Sequence, residues 1–212
     1  IFAKIPDQPP VEAESFNNIF SDFKNIIMPG ITHWQSPKFF AYFPANTSFP
    51  SLLGEMLTSA LGAQCMKWET SPAATELEAK VMNWLRHMTG LPGSFKGVIQ
   101  DTASTATLCA LLTARERASG YTINQHGFAN SARFRVYCSS EAHSSVDKAV
   151  RIAGFGHENL VKIPVDSEFR MNIAELKKNI ESDIQKGFLP LCVVVAMGTT
   201  GSTAIDPLDE IV

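Results

Sequence analysis

Three segments of the sequence are rich in small residues and in hydroxyl side chains, a combination that suits anion binding. In the first, residues 97–112 (GVIQDTASTATLCALL), we predict a short apolar strand at 97–100 that leads into a helix over about 103–118. Hydroxyls and free backbone N–H groups at a helix start bind phosphate well. The same residues also suit an ordinary Ser or Thr N-cap that needs no ligand, so both interpretations stay open. A nucleotide P-loop is not supported, since no GxxxxGK[ST] motif is present.

The second segment, residues 137–150 (YCSSEAHSSVDKAV), places His143 between a predicted strand and a predicted helix. A histidine there can stack on a flat cofactor or act as an acid or base. A lone histidine can equally be a capping or surface residue. The sequence by itself does not choose between these roles.

The third segment, residues 193–207 (VVVAMGTTGSTAIDP), delivers a Gly- and Thr-rich run at 198–203 directly after an apolar strand. Glycines let the backbone approach a ligand closely, and hydroxyls can bond to it. The alternative is a simple polar turn.

These segments are positioned by alternating strands and helices. We predict strands at 133–138, 160–164 and 191–197, the last buried on both faces, and helices at 143–153 and 172–186. This alternation indicates an α/β fold with a mostly parallel sheet and helices on both faces. Ligands bind such sheets beyond the carboxyl ends of the strands, where all three segments lie.

The chain before this region has a different character. Residues 1–50 are rich in proline and aromatic residues and predict an N-terminal arm, with one helical apolar face across residues 13–27. An arm with so many aromatic residues is expected to pack against another surface. Residues 51–212 form the predicted main domain, which begins with helices at 51–63 and 72–89.

Composition narrows the function classes. The 212 residues are 45% hydrophobic and 18% charged with a net charge of −3, which is typical of a globular protein and not of a nucleic-acid binder. No apolar run reaches the ~20 residues of a membrane span, and no signal peptide is recognised. The four cysteines lack metal-site spacing and are expected to be reduced thiols in a cytoplasmic protein. No metal site and no GxSxG nucleophile elbow are predicted.

Taken together, long stretches of the chain resemble the group II pyridoxal-phosphate-dependent decarboxylases, closest to the aromatic-L-amino-acid decarboxylases. The similarity runs in order through residues 26–57, 70–85, 97–115, 139–154 and 193–211, including TSPAATELEAKVMNWL and VVVAMGTTGSTAIDPLDEI. It implies the front part of a type I (aspartate-aminotransferase-like) large domain that binds pyridoxal 5'-phosphate. It also implies a homodimer and an amino-acid substrate.

The resemblance implies roles residue by residue. His143 corresponds to the histidine that stacks over the pyridine ring and assists at the substrate carbon. Ala103, Ser104 and Ser145 correspond to phosphate contacts, and Thr200 to a threonine near the ring oxygen. Tyr42, Phe43 and Pro44 correspond to the substrate pocket, and the region of Trp68 to a segment that crosses the dimer interface.

Several features depart from the family pattern. Ala45 stands where animal members carry threonine, and Met66 stands at a position that is often aromatic, so the exact substrate stays open. The family's pyridine-pairing aspartate and its Schiff-base lysine match no position up to Val212. The 212-residue chain alone is therefore expected to be inactive.

Three alternatives to an aromatic amino-acid decarboxylase are compatible with the sequence. Within the family they are a glutamate, diamino-acid or sulfinic-acid decarboxylase, and an aromatic aldehyde synthase. Outside catalysis, the chain could be a truncated homologue that acts as a binding module through its aromatic arm.

Overall fold

The computed structural model describes residues 2–42, 47–129 and 132–212. The chain divides into two compact units, Ile1–Leu52 and Leu53–Val212. Within the described ranges, no helix combines the length and the apolar character that crossing a membrane requires.

A three-stranded parallel sheet forms the centre of the second unit. Strand β1 (Phe134–Ser139) lies between β2 (Leu160–Ile163) and β3 (Leu189–Val194). Val136 pairs with Leu160 on one side and with Cys192 on the other. All but one residue of β1 are buried, as expected for a central strand covered on both faces.

Helices cover both faces of this sheet, which confirms the predicted α/β architecture. On one face, α4 (Ala103–Ala118) and α6 (Ser145–Ile152) pack on a core that includes Leu111, Val136 and Val150. On the other face, Leu176 of α7 (Ile173–Gln185) packs with Tyr137, Ile163 and Met171.

The remaining elements are short or lie outside this core. The other α-helices are α1 (Phe16–Asp22), α2 (Phe49–Leu61), α3 (Pro72–Met88), α5 (Thr122–His126) and α8 (Leu208–Ile211). Single 3-10 turns occur at Phe2–Lys4, Met28–Gly30, Trp68–Thr70 and His157–Asn159.

Three local predictions differ from the structure. The strand at 97–100 is wrong: no described strand pairs with it, and the Ile99 N–H instead donates to the Glu78 carboxylate at 2.8 Å. The helix across 13–27 is α1 followed by a π-helical turn at Phe23–Ile27. The third strand runs from Leu189 to Val194 instead of 191–197 and is only half-buried, and among the described residues it pairs with β1 alone.

A buried polar pair joins the sheet to α7. The Tyr137 hydroxyl donates to Asp183 Oδ2 at 2.9 Å, and Arg135 Nε lies 3.5 Å from Asp183 Oδ1. Burial, with the added effect of the Asp183 carboxylate, raises the pKa of Tyr137 above its ordinary value of 10.0. The phenol therefore stays protonated and continues to donate to Asp183 under ordinary conditions.

Replacing Tyr137 with Phe should lower the free energy of unfolding of the whole protein by about 1–3 kcal/mol, since a buried carboxylate loses a donor. Because the folded-state pKa of Tyr137 is raised, its contribution is complete below pH 10 and is lost as the pH rises further. Denaturant unfolding at neutral and alkaline pH measures both effects. An equal alkaline loss of stability in the wild type and in Tyr137→Phe would contradict this assignment.

Candidate functional site

A cleft of about 500 Å³ lies where β1 and β3 end and where α4 and α6 begin. Five of its lining residues carry hydroxyl groups, five are Ala or Val, and the remaining one is His143. The predicted residues Ala103, Ser104, His143, Ser145 and Thr200 all line it. The structure therefore brings together the three segments that the sequence singled out.

The start of α4 forms one wall of the cleft. Thr102 caps the helix, since its hydroxyl accepts the Thr105 N–H at 3.1 Å and its carbonyl accepts the Ala106 N–H. The N–H groups of Ala103 and Ser104 have no acceptor among the residues described. Both the N-cap and the free anion-binding groups considered from the sequence are thus present in this one turn.

The second wall is the turn between β1 and α6. His143 is exposed to the cleft, and its Nδ1 lies 2.9 Å from Ser145 Oγ and 3.2 Å from the Ser145 backbone nitrogen. Ser145 itself is buried. The histidine ring is therefore anchored to the first turn of α6 through one of its two nitrogens.

The third wall is the loop after β3, which carries Thr200. Thr199 Oγ1 and Ser202 Oγ are 2.7 Å apart, and the Thr199 N–H donates to Ala204 at 3.0 Å. Thr203 has a φ of +61°, which is rare for a β-branched residue. The internal bonds hold this loop in a compact and locally strained form with Thr200 exposed.

Asp206 is a positioning residue that the sequence analysis missed. Its side chain is 1% exposed, and its carboxylate accepts the Met171 N–H at 2.8 Å and the Ala196 N–H at 2.9 Å. It fixes the base of the Thr200 loop, which is closed by a bridge between Met197 and Ile205. The sequence feature that could have indicated its role is an aspartate that directly follows an apolar residue in the AIDP run.

Of the predicted substrate-pocket residues, the structure describes Tyr42, which belongs to the first unit. Tyr42 stacks on Trp34 with ring centroids 5.4 Å apart and has a φ of +59°. Phe43 and Pro44, together with Ala45, lie outside the described residues. Trp68, which belongs to the second unit, donates to the Glu76 carboxylate at 3.2 Å.

The described parts of the chain also bear on two other kinds of site, a metal site and a reactive cysteine. They contain no group of three or more His, Cys, Asp or Glu side chains arranged to hold a metal ion. All four cysteines are free thiols. Burial raises the pKa of the Cys192 thiol to about 11, so it stays protonated and unreactive at neutral pH.

A parallel α/β domain with a polar cleft at the carboxyl ends of its strands is typical of cofactor-binding domains. The model of the pyridoxal-dependent decarboxylase conserved domain matches residues 2–212, and the chain belongs to this family. Histidine decarboxylase of Drosophila melanogaster is 46% identical over 220 residues, which cover 98% of this chain and 26% of that protein. Tryptophan decarboxylase 2 of Oryza sativa subsp. japonica is 40% identical over 215 residues, covering 98% and 42%. Phenylacetaldehyde synthase of Petunia hybrida is 40% identical over 212 residues, covering 96% and 41%.

Solved structures agree with this membership. Catharanthus roseus tryptophan decarboxylase in complex with L-tryptophan superposes with a TM-score of 0.91 at 37% identity, covering 99% of this chain and 46% of that one. The Oryza sativa enzyme with pyridoxal phosphate and tryptamine has a TM-score of 0.90 at 33% identity, with the same coverage. The chain thus spans under half the length of the relatives that it matches.

The cleft fits the cofactor of this family. A phosphate needs donors and no competing anion, and the cleft offers two unbonded N–H groups at the start of a 16-residue helix. None of its lining residues is acidic. A flat ring needs a planar wall and little side-chain bulk, which His143 and the Ala and Val residues supply.

Replacing Asp206 with Ala should destabilise the whole protein by about 2–5 kcal/mol, because the buried Met171 N–H and the half-buried Ala196 N–H lose their acceptor. The loop that carries Thr200 should loosen, and the affinity for pyridoxal phosphate should fall with it. Thermal unfolding of the apoprotein and a cofactor titration measure the two effects. Asp209→Ala is the matched control, since Asp209 is exposed in the same segment. Equal behaviour of the two variants would rule out the positioning role.

Proposed function

We propose that the whole protein uses pyridoxal phosphate to decarboxylate an L-amino acid with an aromatic ring, histidine included. The observation that carries the proposal is the convergence of Ala103, Ser104, His143, Ser145 and Thr200 on one cleft. Family membership supports the chemistry, and the geometry supports the position of the cofactor.

The start of α4 is the proposed phosphate site. The Ala103 and Ser104 N–H groups donate to the phosphate, and the positive end of the helix dipole favours its charge. Ser104 adds a hydroxyl donor. Since Ala103 carries only a methyl group, the phosphate can approach the backbone closely.

His143 and Thr200 are proposed to hold the ring. The imidazole lies against one face of the ring, and the Thr200 hydroxyl bonds to the ring oxygen. Pyridoxal phosphate, when bound, supplies the electron sink that accepts the electron pair left as CO2 departs. The protein's part is to hold the breaking bond perpendicular to the ring and to keep water away.

The relatives guide the choice of substrate. The curated relatives reported above are a histidine decarboxylase, a tryptophan decarboxylase and an aldehyde synthase, whose names specify ring-bearing compounds. We propose that Tyr42, Phe43 and Pro44 contact the substrate side chain. Aldehyde synthesis is the second candidate, because Phenylacetaldehyde synthase of Petunia hybrida is as similar as the tryptophan enzyme.

The homodimer and the cytoplasmic location are further parts of the proposal. The first rests on the family resemblance and on the exposed aromatic face of α1, which includes Phe16 and Phe20. The second rests on the four free cysteines.

A substrate panel tests the reaction. Purified full-length protein with pyridoxal phosphate should release CO2 and the matching amine from histidine, tryptophan or tyrosine, and not from glutamate, diaminobutyrate or cysteine sulfinate. Consumption of O2 with release of CO2, an aldehyde, ammonia and hydrogen peroxide would favour the second candidate. A folded and cofactor-loaded protein that releases no CO2 from histidine, tryptophan or tyrosine would contradict the proposal.

A charge placed at the start of α4 tests the phosphate site. Ser104→Asp puts a carboxylate where the helix dipole favours it, so the fold should be kept while the phosphate is repelled. The dissociation constant for pyridoxal phosphate should rise roughly 100-fold or more. Ser104→Asn is the matched neutral control and should weaken binding roughly tenfold at most. Equal affinities of the two variants for pyridoxal phosphate would show that the phosphate does not bind at this turn.

A further inference from the structure

The two contacts between His143 and Ser145 determine where the histidine proton lies. Nδ1 is 3.2 Å from the Ser145 backbone nitrogen, and a backbone N–H can only donate. Nδ1 must therefore accept and carries no proton. In a neutral imidazole the proton then sits on Nε2.

The Ser145 hydroxyl has one proton, and the same geometry assigns it. Its oxygen lies 2.9 Å from the unprotonated Nδ1, a distance that requires the hydroxyl to donate. While it does so, it has no proton left for a phosphate oxygen. The phosphate contact that the resemblance implies for Ser145 thus competes with the bond seen in the structure.

We propose that Ser145 is a positioning residue, which holds His143 as the neutral tautomer with an N–H donor at Nε2. Nδ1 is occupied by Ser145, so Nε2 is the ring nitrogen that remains available to the cleft lined by His143. No other described group bonds to this ring. An N–H donor at this wall suits an acceptor oxygen such as a substrate carboxylate.

This inference rests on the proposed function for its catalytic consequence, but not for the tautomer. Burial of Ser145 makes the arrangement durable, because water has little access to its hydroxyl. The helical position of Ser145 adds rigidity, since its backbone N–H cannot rotate away from Nδ1 without unwinding the first turn of α6.

The tautomer can be read directly by ¹⁵N NMR of full-length apoprotein with labelled histidine. The His143 signals are identified by their loss in His143→Gln. We expect an unprotonated Nδ1 and a protonated Nε2 in the wild type and in Ser145→Thr, which keeps the hydroxyl. Ser145→Ala loses the shorter bond but keeps the backbone N–H donor, so Nδ1 should stay unprotonated while its ¹⁵N signal shifts. A wild-type proton on Nδ1, or an unchanged spectrum in Ser145→Ala, would overturn the proposal.

Kinetics and cofactor titration separate positioning from phosphate binding. In Ser145→Ala we expect kcat to fall roughly tenfold, with the dissociation constant for pyridoxal phosphate changed by less than about twofold. Ser145→Thr should restore kcat, and Ser144→Ala should match the wild type, since the Ser144 side chain forms no cap bond and is exposed. A cofactor affinity roughly tenfold weaker with an unchanged Nδ1 signal would assign the Ser145 hydroxyl to the phosphate instead.

The two proposals can fail separately. If the full-length protein decarboxylated no amino acid, the proposed function would fail while the tautomer spectrum would still stand. If decarboxylation occurred with a proton on Nδ1, the positioning role of Ser145 would fail alone.

Discussion

The parallel pairing of β1 with both of its neighbours is the constraint on which the rest of the site depends. Because β1 and β3 run in the same direction, the turn that holds His143 and the loop that holds Thr200 leave the sheet at one edge. The core between β1, α4 and α6 then sets the start of α4 beside them through residues such as Leu111 and Val150. An antiparallel β3 would send the Thr200 loop to the opposite end of the sheet.

Backbone hydrogen bonds position most of this site. The helix cap at Thr102, the Ser145 anchor on His143 and the Asp206 carboxylate each fix one wall of the cleft. Such an arrangement holds donors in place before any ligand arrives, which lowers the ordering cost of binding. A separate bond, from the Thr203 N–H to the Thr199 carbonyl at 2.9 Å, helps to keep Thr203 in a backbone conformation that is unfavourable for its side chain.

Local patterns made much of this predictable from the sequence. The α4 and α7 helices and strands β1 and β2 were located to within a residue or two, because apolar periodicity and N-cap residues act over short distances. The cleft residues were found because parallel topology brings strand ends together. The resemblance added the identity of the ligand, which no spacing argument supplied.

The features that the sequence did not reveal depend on contacts between residues that are far apart in the chain. Residues 97–100 have strand-like composition, but a strand also needs a neighbour, and the composition does not supply one. Asp206 was missed because it bonds to Met171 and Ala196, 35 and 10 residues earlier. For Ser145 the sequence showed only that it lies near His143, and the direction of its hydroxyl required coordinates.

The central claim is that pyridoxal phosphate binds with its phosphate at the start of α4 and its ring against His143. An experimental structure of the full-length protein with bound cofactor tests it most directly, through the distances from the phosphate oxygens to the Ala103 and Ser104 backbone nitrogens. Both distances should lie within the hydrogen-bonding range of about 2.7–3.2 Å, with the imidazole of His143 parallel to the ring. A phosphate held elsewhere, with these two N–H groups bonded to water or protein, would contradict it.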